Sequence, residues 1–571
     1  MNTKVQFTQQ RHQLRPATIF SWPLRGSGLE NLGVNGAPVA EPFPICSTEQ
    51  ILVRVDAVGL CSSDGKIIRM GRQYPLLYGR DLTRQPIRQG HEVALTIIEV
   101  GERWRGQYQP GQRLGIQPDI FVNGQRTCLG VLLPGGFTQY MTLGPEILAG
   151  DDGAYVFPIP PGLSYTEIAL LEPYACVEAS FVPRRRLGLL PGGTLWINGR
   201  KGNECPYQIS CPLPSARVIL TDVPETLAAW VRTHSLEVIE RNGATVAQIV
   251  EAFAPNGLAD IILLDPRAAT LVEAAADALA TQGTLTIVSD QPLDGPVHLD
   301  ASRIHYEFLG FMGCTGSDIA QAWGAARNRS ELRKGGVTLI AGAGGPMGRI
   351  VLQRTLQMVD GPHTIIVTNR GVERLQSLLQ SFAPLAAQQG RQLIGISPSA
   401  EPARLARVVA ELTHGRGCDD VVVVPPNPAL MGEAAQYLAP DGLFALFAGV
   451  PLGNKLGMPV SNVYLHNLQI TGTSGSTVGD QQRVIDRILA GELAPMQSVA
   501  AIGGLKAIPA GLQAVMEQRY AGKVVIFPQL LDLPLLHLSD LRTALPAVYA
   551  NLGPDATWSS AAERALFAAE I

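Results

Sequence analysis

The chain has few cysteines for its length, little net charge and no long apolar run. Its 8 cysteines in 571 residues are Cys46, Cys61, Cys128, Cys176, Cys205, Cys211, Cys314 and Cys418, and no two form a C-x-x-C pair. So sparse a set excludes a disulfide framework and fits reduced, intracellular thiols. A formal charge of −4 argues against nucleic acid or an anionic membrane as partner. No apolar stretch is long enough to span a bilayer. Residues 1–10 lack the apolar core of a secretory signal. A soluble cytoplasmic protein, acting on a small molecule, is therefore expected.

What is present is a large core and glycine-rich punctuation. The chain is 46% hydrophobic and 16% charged, with room for about three or four domains. Residues 1–187 carry short apolar runs broken by Gly and Pro. Segments 51–58 and 94–100 are expected strands, with turns at Pro110-Gly111 and Gly135-Gly136, so this part is expected to be mainly β. Near Pro191-Gly192-Gly193 the pattern changes to strands alternating with helices: strands at 194–198, 216–222, 259–264 and 283–288, helices at 244–253 and 268–280, and a last strand ending at Gly313. The alternation then repeats from 337 to 448. It implies parallel sheets with helices on both faces.

The ends of the two repeats match. Arg303-Ile304-His305-Tyr306 leads to Gly313-Cys314-Thr315-Gly316-Ser317, and Val463-Tyr464-Leu465-His466 leads to Gly472-Thr473-Ser474-Gly475-Ser476. Gly313 and Gly472 lie 159 positions apart, while Gly199 and Gly342, at the ends of the first strands, lie 143 apart. Two tandem Rossmann-type units are expected, 188–330 and 331–494. They follow a β-rich domain, 1–187, that segment 495–530 completes through a strand at Gly522-Lys523-Val524. Residues 531–571 form a helical tail.

Three short segments of the β-rich part carry the chemistry. They are Gly59-Leu60-Cys61-Ser62-Ser63-Asp64, Gly90-His91-Glu92, and Leu171-Glu172-Pro173-Tyr174-Ala175-Cys176. A thiolate, an imidazole and a carboxylate are proper ligands for a catalytic zinc that keeps one position open. Such a zinc acts as a Lewis acid on an alcohol or carbonyl oxygen. Ser63 is placed to carry the hydroxyl proton away, and Asp64 or Glu92 to orient a ligand or tune the metal's charge. Taken singly, each residue has an ordinary structural role: a lone Cys as a small buried hydrophobe, a lone His as a satisfied core residue, Glu-Pro as a helix opening. In front of a nucleotide-type fold, the metal site accounts for all of them together.

Gly-x-Cys-x-Ser-Asp, Gly-His-Glu followed by Glu99-Val100-Gly101, Gly-Gly-Phe-Thr-Gln-Tyr at 135–140 and Glu-Pro-x-x-Cys-Val together resemble the zinc-dependent medium-chain dehydrogenases/reductases. The resemblance is strongest to their sorbitol dehydrogenase and sorbose-1-phosphate reductase side. It implies a GroES-like catalytic domain and a catalytic zinc on Cys61, His91 and Glu172. Ser63 is then the proton relay, Glu92 a carboxylate close to the metal, and Cys176 the alternative third ligand. It implies hydride exchange between a nicotinamide cofactor and a secondary alcohol or ketone, with polyols or sugar derivatives as substrates, in a homo-oligomer (dimer or tetramer). Three features depart from the family pattern. The four-cysteine structural zinc lobe is missing, with only Cys128 in that region, so one zinc is expected and no structural one. The segment 69–89 is insertion-like and carries Arg69, Arg72, Arg80, Arg84 and Arg88, a solvated loop or else a phosphate clamp. And the Rossmann unit is doubled.

The second unit is expected to hold the cofactor. Val337-Thr338-Leu339-Ile340-Ala341 runs into Gly342-Ala343-Gly344-Gly345-Pro346-Met347-Gly348 and then a helical pattern, the strand-to-helix turn that cradles a pyrophosphate. The first unit's loop, Asn198-Gly199-Arg200-Lys201-Gly202-Asn203, is followed by Pro206, Pro212 and Pro214, which a helix cannot accommodate. Its Asp222 sits where an acid would bind the ribose of NAD, whereas the second unit has Asn369-Arg370 there, which favours the 2′-phosphate of NADP(H). Two other classes stay open on sequence: a nucleotide-binding regulatory protein with a vestigial zinc site, and a zinc-free reductase.

Overall fold

A computed structural model describes residues 15–569. Segment 1–10, expected to lack a signal core, lies outside them. No described helix is long and apolar enough to cross a membrane. The chain forms two compact units: one runs to Cys176 and resumes at Gly475, and the other is Val177–Ser474.

The first unit is built on an eight-stranded sheet. Its central strand, Ile51–Leu60, buries every residue except the half-buried Arg54. Such Val- and Ile-rich runs fit a pleated surface covered on both faces. Glu92–Val100 pairs antiparallel with it on one side and Lys523–Phe527 on the other. Val499–Gly504 extends the sheet beyond Lys523–Phe527. Strands more than four hundred residues apart in sequence thus share one sheet, with Val524 opposite Leu60 and Val525 opposite Gly59.

The tail has a definite job in this unit. Helix Ser560–Ala568 carries Glu563, which is buried. Its carboxylate accepts from the Tyr165 N–H at 2.8 Å, the Thr166 N–H at 3.0 Å and the Thr166 hydroxyl at 2.6 Å. These are the first, otherwise unpaired, amides of helix Tyr165–Ala169. Trp558 donates its indole N–H to Thr166 Oγ1 at 3.1 Å, and Phe567 stacks edge-on against Tyr165 and Phe527. Glu563→Ala leaves two buried amides and a hydroxyl without an acceptor, so a loss of about 1–3 kcal/mol in urea or thermal unfolding is expected. Burial raises the Glu563 pKa against the pull of those hydrogen bonds. A carboxyl raised on folding stabilises fully below its unfolded pKa and loses that contribution as pH rises through the folded value. The deficit of Glu563→Ala is therefore expected to be larger near pH 4 than near pH 7.

The second unit holds two six-stranded parallel sheets. Across the first, the strands are Glu237–Glu240, Arg217–Thr221, Thr194–Asn198, Leu258–Leu264, Leu279–Val288 and Gly310–Cys314. Across the second they are Gln392–Ile396, Thr364–Thr368, Val337–Ala341, Cys418–Val423, Leu438–Leu446 and Gln469–Gly472. Each sheet has the spatial order 3-2-1-4-5-6 of a dinucleotide-binding fold. The protein is α/β, with a β-rich part and two Rossmann-type sheets. The edge strand Glu237–Glu240 and the helix Glu225–His234 before it were not foreseen, because Glu-Val-Ile-Glu is short and polar at both ends. Residues 199–216 form no helix, so the first sheet lacks the element that follows Val337–Ala341 in the second, helix Pro346–Gln357.

Candidate active site

Strand Ile51–Leu60 delivers Cys61 to the start of helix Ser62–Met70. Asp64, in the first turn, takes the Cys61 N–H on Oδ2 at 3.0 Å. This capping bond fixes the backbone that carries the thiol. His91 immediately precedes strand Glu92–Val100, whose Glu92 stands opposite Gly59. A Cβ at Gly59 would overlap Glu92 Oε2, so glycine there makes room for the carboxylate. Cys61 Sγ, a ring nitrogen of His91 and an oxygen of Glu92 come within 4.8 Å of one another.

The surroundings of this cluster are polar and buried. His91 Nδ1 lies 3.6 Å from Asp64 Oδ1, and its Nε2 lies 3.4 Å from the Ser63 hydroxyl. Burial alone would lower the imidazole's pKa, but the Asp64 carboxylate and hydrogen bonds to Asp64 and Cys61 raise it well above its usual value. Glu172 stands beside the cluster, not among its three atoms. Its Oε1 accepts from Cys176 Sγ at 3.2 Å, one turn along helix Leu171–Ala179. Burial raises the Glu172 carboxyl, while the charges of His91 and Glu92 pull it in opposite directions. Burial and that same carboxylate raise the Cys176 thiol well above its normal range, so it keeps its proton.

These residues fit a metal ion. Glu92 Oε2 is a buried side-chain oxygen with no hydrogen-bond partner, and such an oxygen next to a thiol and an imidazole is a cation-seeking arrangement, whereas Asp64 Oδ1 faces His91 Nδ1. The donor types suit zinc. One participant escaped the sequence. Lys523 is buried, and its Nζ donates to Glu92 Oε1 at 2.6 Å and to Leu60 O at 3.1 Å. The signal for it was a single lysine opening the apolar run Val524-Val525-Ile526-Phe527.

In the second unit, the loop after Val337–Ala341 is shaped by three of its four glycines. Gly342 has φ +78°, and a side chain there would strike Pro425. A Cβ at Gly344 would lie 2.5 Å from Asn369 Oδ1, and one at Gly348 would lie 2.5 Å from Ala343 O. Nothing crowds Gly345, which precedes Pro346 at the start of helix Pro346–Gln357 with no side-chain cap. Met347 follows in that helix, whose leading amides remain available to an anion. The helix is anchored lower down by Arg354, buried between Glu178 and Glu331 and lying 4.2 Å from the Phe181 ring centre. Asn369 donates to Gly371 O at 2.9 Å and Arg370 is exposed.

Residues 47–149, which contain both Cys61 and His91, match the alcohol dehydrogenase GroES-like domain. That match places residues 47–149, and not the whole chain, in a family of known domains. It is 25% identical over 301 residues to the L-sorbose 1-phosphate reductase of Klebsiella pneumoniae, a match spanning 48% of this chain and 72% of that one. It is 26% identical over 288 residues to the mannitol-1-phosphate 5-dehydrogenase of Aliivibrio fischeri, spanning 48% and 66%. The (2R,3R)-butanediol dehydrogenase of Bacillus subtilis shares the fold at a TM-score of 0.51 and 15% identity, over 89% of this chain and 99% of that structure.

The first Rossmann-type sheet differs from the second in its loop. There, Arg200 donates to Asp265 Oδ2 at 2.8 Å, and Asn203 donates to the Tyr207 hydroxyl at 3.0 Å, so the loop is tied to the end of strand Leu258–Leu264 and to its own following segment. Asp222 has φ +49°, and its carboxylate takes the Gly243 N–H at 3.2 Å. Cys128, the one cysteine in the region of the missing lobe, hydrogen-bonds Asp119 at 3.2 Å and is pushed up to about 12 by burial and that carboxylate. It is a thiol at neutral pH. Among the arginines of 69–89, Arg88 donates to Gly135 O and Arg80 to Gln85 O, both at 3.0 Å, while Arg69, Arg72 and Arg84 are exposed.

Proposed function

We propose that the chain is a zinc-dependent oxidoreductase. It exchanges a hydride between a nicotinamide dinucleotide and a secondary alcohol or its ketone, with polyols or sugar derivatives as the substrate class. One observation carries this: a thiol, an imidazole and a carboxylate converge within 4.8 Å, with an unpartnered buried oxygen on Glu92. Cys61 and His91 hold the metal, with Glu172, as the sequence suggests, or Glu92, as the distances favour, supplying the carboxylate. When bound, zinc supplies Lewis acidity at the substrate oxygen. The protein's own residues do the rest. Asp64 orients His91 from behind, as carboxylates do for ligating histidines. The Ser63 hydroxyl receives the alcohol proton and passes it outward. Lys523 balances Glu92, so that the site does not gather two unopposed carboxylates. The names of the relatives, a sorbose-phosphate reductase and a mannitol-phosphate dehydrogenase, support the substrate class.

The loop Gly342 to Gly348 is assigned the pyrophosphate, and Arg370, beside Asn369, the 2′-phosphate of NADP(H). Arg370→Ala is then expected to weaken NADPH binding about tenfold or more, the worth of one charge-assisted hydrogen bond, and to leave NADH binding unchanged. Titration of both reduced cofactors by fluorescence checks this; equal losses for the two would remove the NADP(H) preference. The activity itself is tested with polyols, polyol phosphates and the corresponding ketones, following nicotinamide absorbance with and without a chelator. Turnover that survives complete zinc removal would overturn the metal assignment.

A further inference from the structure

The two six-stranded sheets are copies in detail as well as in order. Arg186 pairs with the Asp260 carboxylate at 2.8 Å and donates to Ala259 O at 2.6 Å and Gln282 O at 2.8 Å. Arg329, 143 positions later, pairs with the Asp420 carboxylate and donates to Asp419 O at 3.0 Å and Asp441 O at 3.1 Å. Gln282 and Asp441 share a φ of +58°, and Phe308 and Asn467 have +54° and +57°. Left-handed backbone at matched non-glycine positions is not an accident of topology. The offset is 160 at Asp260 and Asp420 and 159 at Gln282 and Asp441 and at Phe308 and Asn467, so beyond Gln282 residues 159 apart are equivalent.

That equivalence makes the contact between the copies interpretable. In a self-complementary, two-fold contact, residue i of one copy meets residue j of the other, and j meets i. Strand Val297–Asp300 pairs antiparallel with Lys455–Met458 in the register Val297↔Met458, His298↔Gly457, Leu299↔Leu456. Val297 is the equivalent of Leu456 and Leu299 of Met458, so the pairing is its own image about His298 and Gly457. The same exchange recurs at the last strands. A Cβ at Gly313 would lie 2.5 Å from Tyr464 Cβ, and one at Gly472 would lie 2.9 Å from His305 Cα. Gly313 and Gly472 are equivalent, and so are His305 and Tyr464. Each of these aromatics also reaches a carbonyl of the other copy: Tyr464 hydroxyl to Gln291 O at 2.8 Å, His305 Nδ1 to Leu446 O at 3.3 Å. Phe311, Ile304, Val463 and Ile470 lie in one continuous core across the boundary.

We propose that residues 188–330 are a tethered partner. They occupy, on the edge formed by Gln469–Gly472 and Lys455–Met458, the place that a second copy of the cofactor-binding half would take in a two-fold dimer. The edge that would pair two chains is thereby closed within one chain. Only one of the two halves keeps a dinucleotide loop, so each chain has one cofactor site; this last clause rests on the function proposed above. Any homo-oligomer of the protein then uses a different face.

The register supplies a test that does not depend on activity. His298→Cys and Gly457→Cys are introduced together in the full chain, where the two positions face each other across the antiparallel pair. Isotope-labelled and unlabelled chains are mixed, then oxidised over a range of concentrations. The expected product is a species of one chain's mass, 61.0 kDa, whose cross-linked peptides never combine labelled with unlabelled segments. Cross-links between chains, or failure of the two thiols to join, would overturn the tethered arrangement. Calorimetric titration of the unsubstituted chain with NADPH is expected to give one site per chain. Two sites would overturn the structural role of the first half. Absence of binding would remove the one-site clause together with the proposed function, while the cross-linking result would still decide the arrangement of the halves.

Discussion

Cys61→Ser is expected to release the metal and to lower kcat/KM by about 1,000-fold or more. The magnitude follows from the several kcal/mol that Lewis-acid stabilisation of a reacting oxygen contributes, at tenfold per 1.36 kcal/mol. The fold should survive, because the Cys61 N–H, not its sulfur, makes the bond to Asp64 Oδ2 that starts helix Ser62–Met70. Metal analysis after dialysis separates the outcomes: a variant that keeps one equivalent of zinc and full activity would remove Cys61 from the ligand set. Glu172→Ala and Glu92→Gln then decide the third ligand, since the one that loses zinc names it. Asp64→Asn is a graded control. It leaves the donors in place but removes the charge behind His91, and outer-shell changes of this kind cost about 10–100-fold in metal affinity.

The pH dependence of that affinity has a definite sign. A ligating imidazole must be deprotonated, so protons and zinc compete for His91. The Asp64 carboxylate raises the His91 pKa in the metal-free protein. Apparent zinc affinity is therefore expected to climb with pH until it passes the raised value, above the ordinary histidine range. In Asp64→Asn the climb should end at lower pH, although the plateau is weaker. A plateau at the same pH in both proteins would show that Asp64 does not set the imidazole's proton affinity.

How far the sequence carried depended on the range of the interaction. The two parallel sheets were legible because their signals are local: short apolar strands, glycine turns, and an order that repeats at a fixed offset. The helix missing after Thr194–Asn198 was legible from Pro206, Pro212 and Pro214. Cys61, Ser63 and Asp64 could be taken as one group because a helix turn spaces them. Which of Glu92 and Glu172 lies nearer the thiol and the imidazole was not legible, since it depends on Gly59 making room for Glu92 across a strand pair. Nor was the work of the tail, because Glu563 caps a helix 397 positions earlier in the chain. Asn369 was read for its neutrality beside a ribose, yet its side chain also packs over Gly344, a contact that only the folded loop displays.

Lys523→Met is expected to destabilise the first unit by about 3–5 kcal/mol, the usual result of removing one partner from a buried ion pair. Lys523 and Glu92 have side chains only 3% and 0% exposed, and they are joined at 2.6 Å. Burial alone would drive the lysine's pKa down, but the Glu92 carboxylate outweighs it and the pKa is raised. A lysine raised on folding contributes stability that is complete below its unfolded pKa and is lost as pH rises through the folded one, so the pair holds at neutral pH. Without the ammonium, Glu92 keeps a buried charge whose second oxygen has no partner in the protein. The metal is then its natural counter-ion. Zinc should stay bound in Lys523→Met while turnover falls, because a Glu92 carboxylate no longer shared with the ammonium gives the ion more negative charge and makes it a poorer acceptor for a substrate oxygen. This pattern is the opposite of Cys61→Ser, which loses both. Adding Glu92→Gln to Lys523→Met removes the stranded charge and should recover most of the lost stability, giving a coupling energy between neighbours well above the ~0.3–0.5 kcal/mol of independent sites. Additive losses in that cycle would mean that Lys523 holds its strand through Leu60 O alone and takes no part in balancing the site.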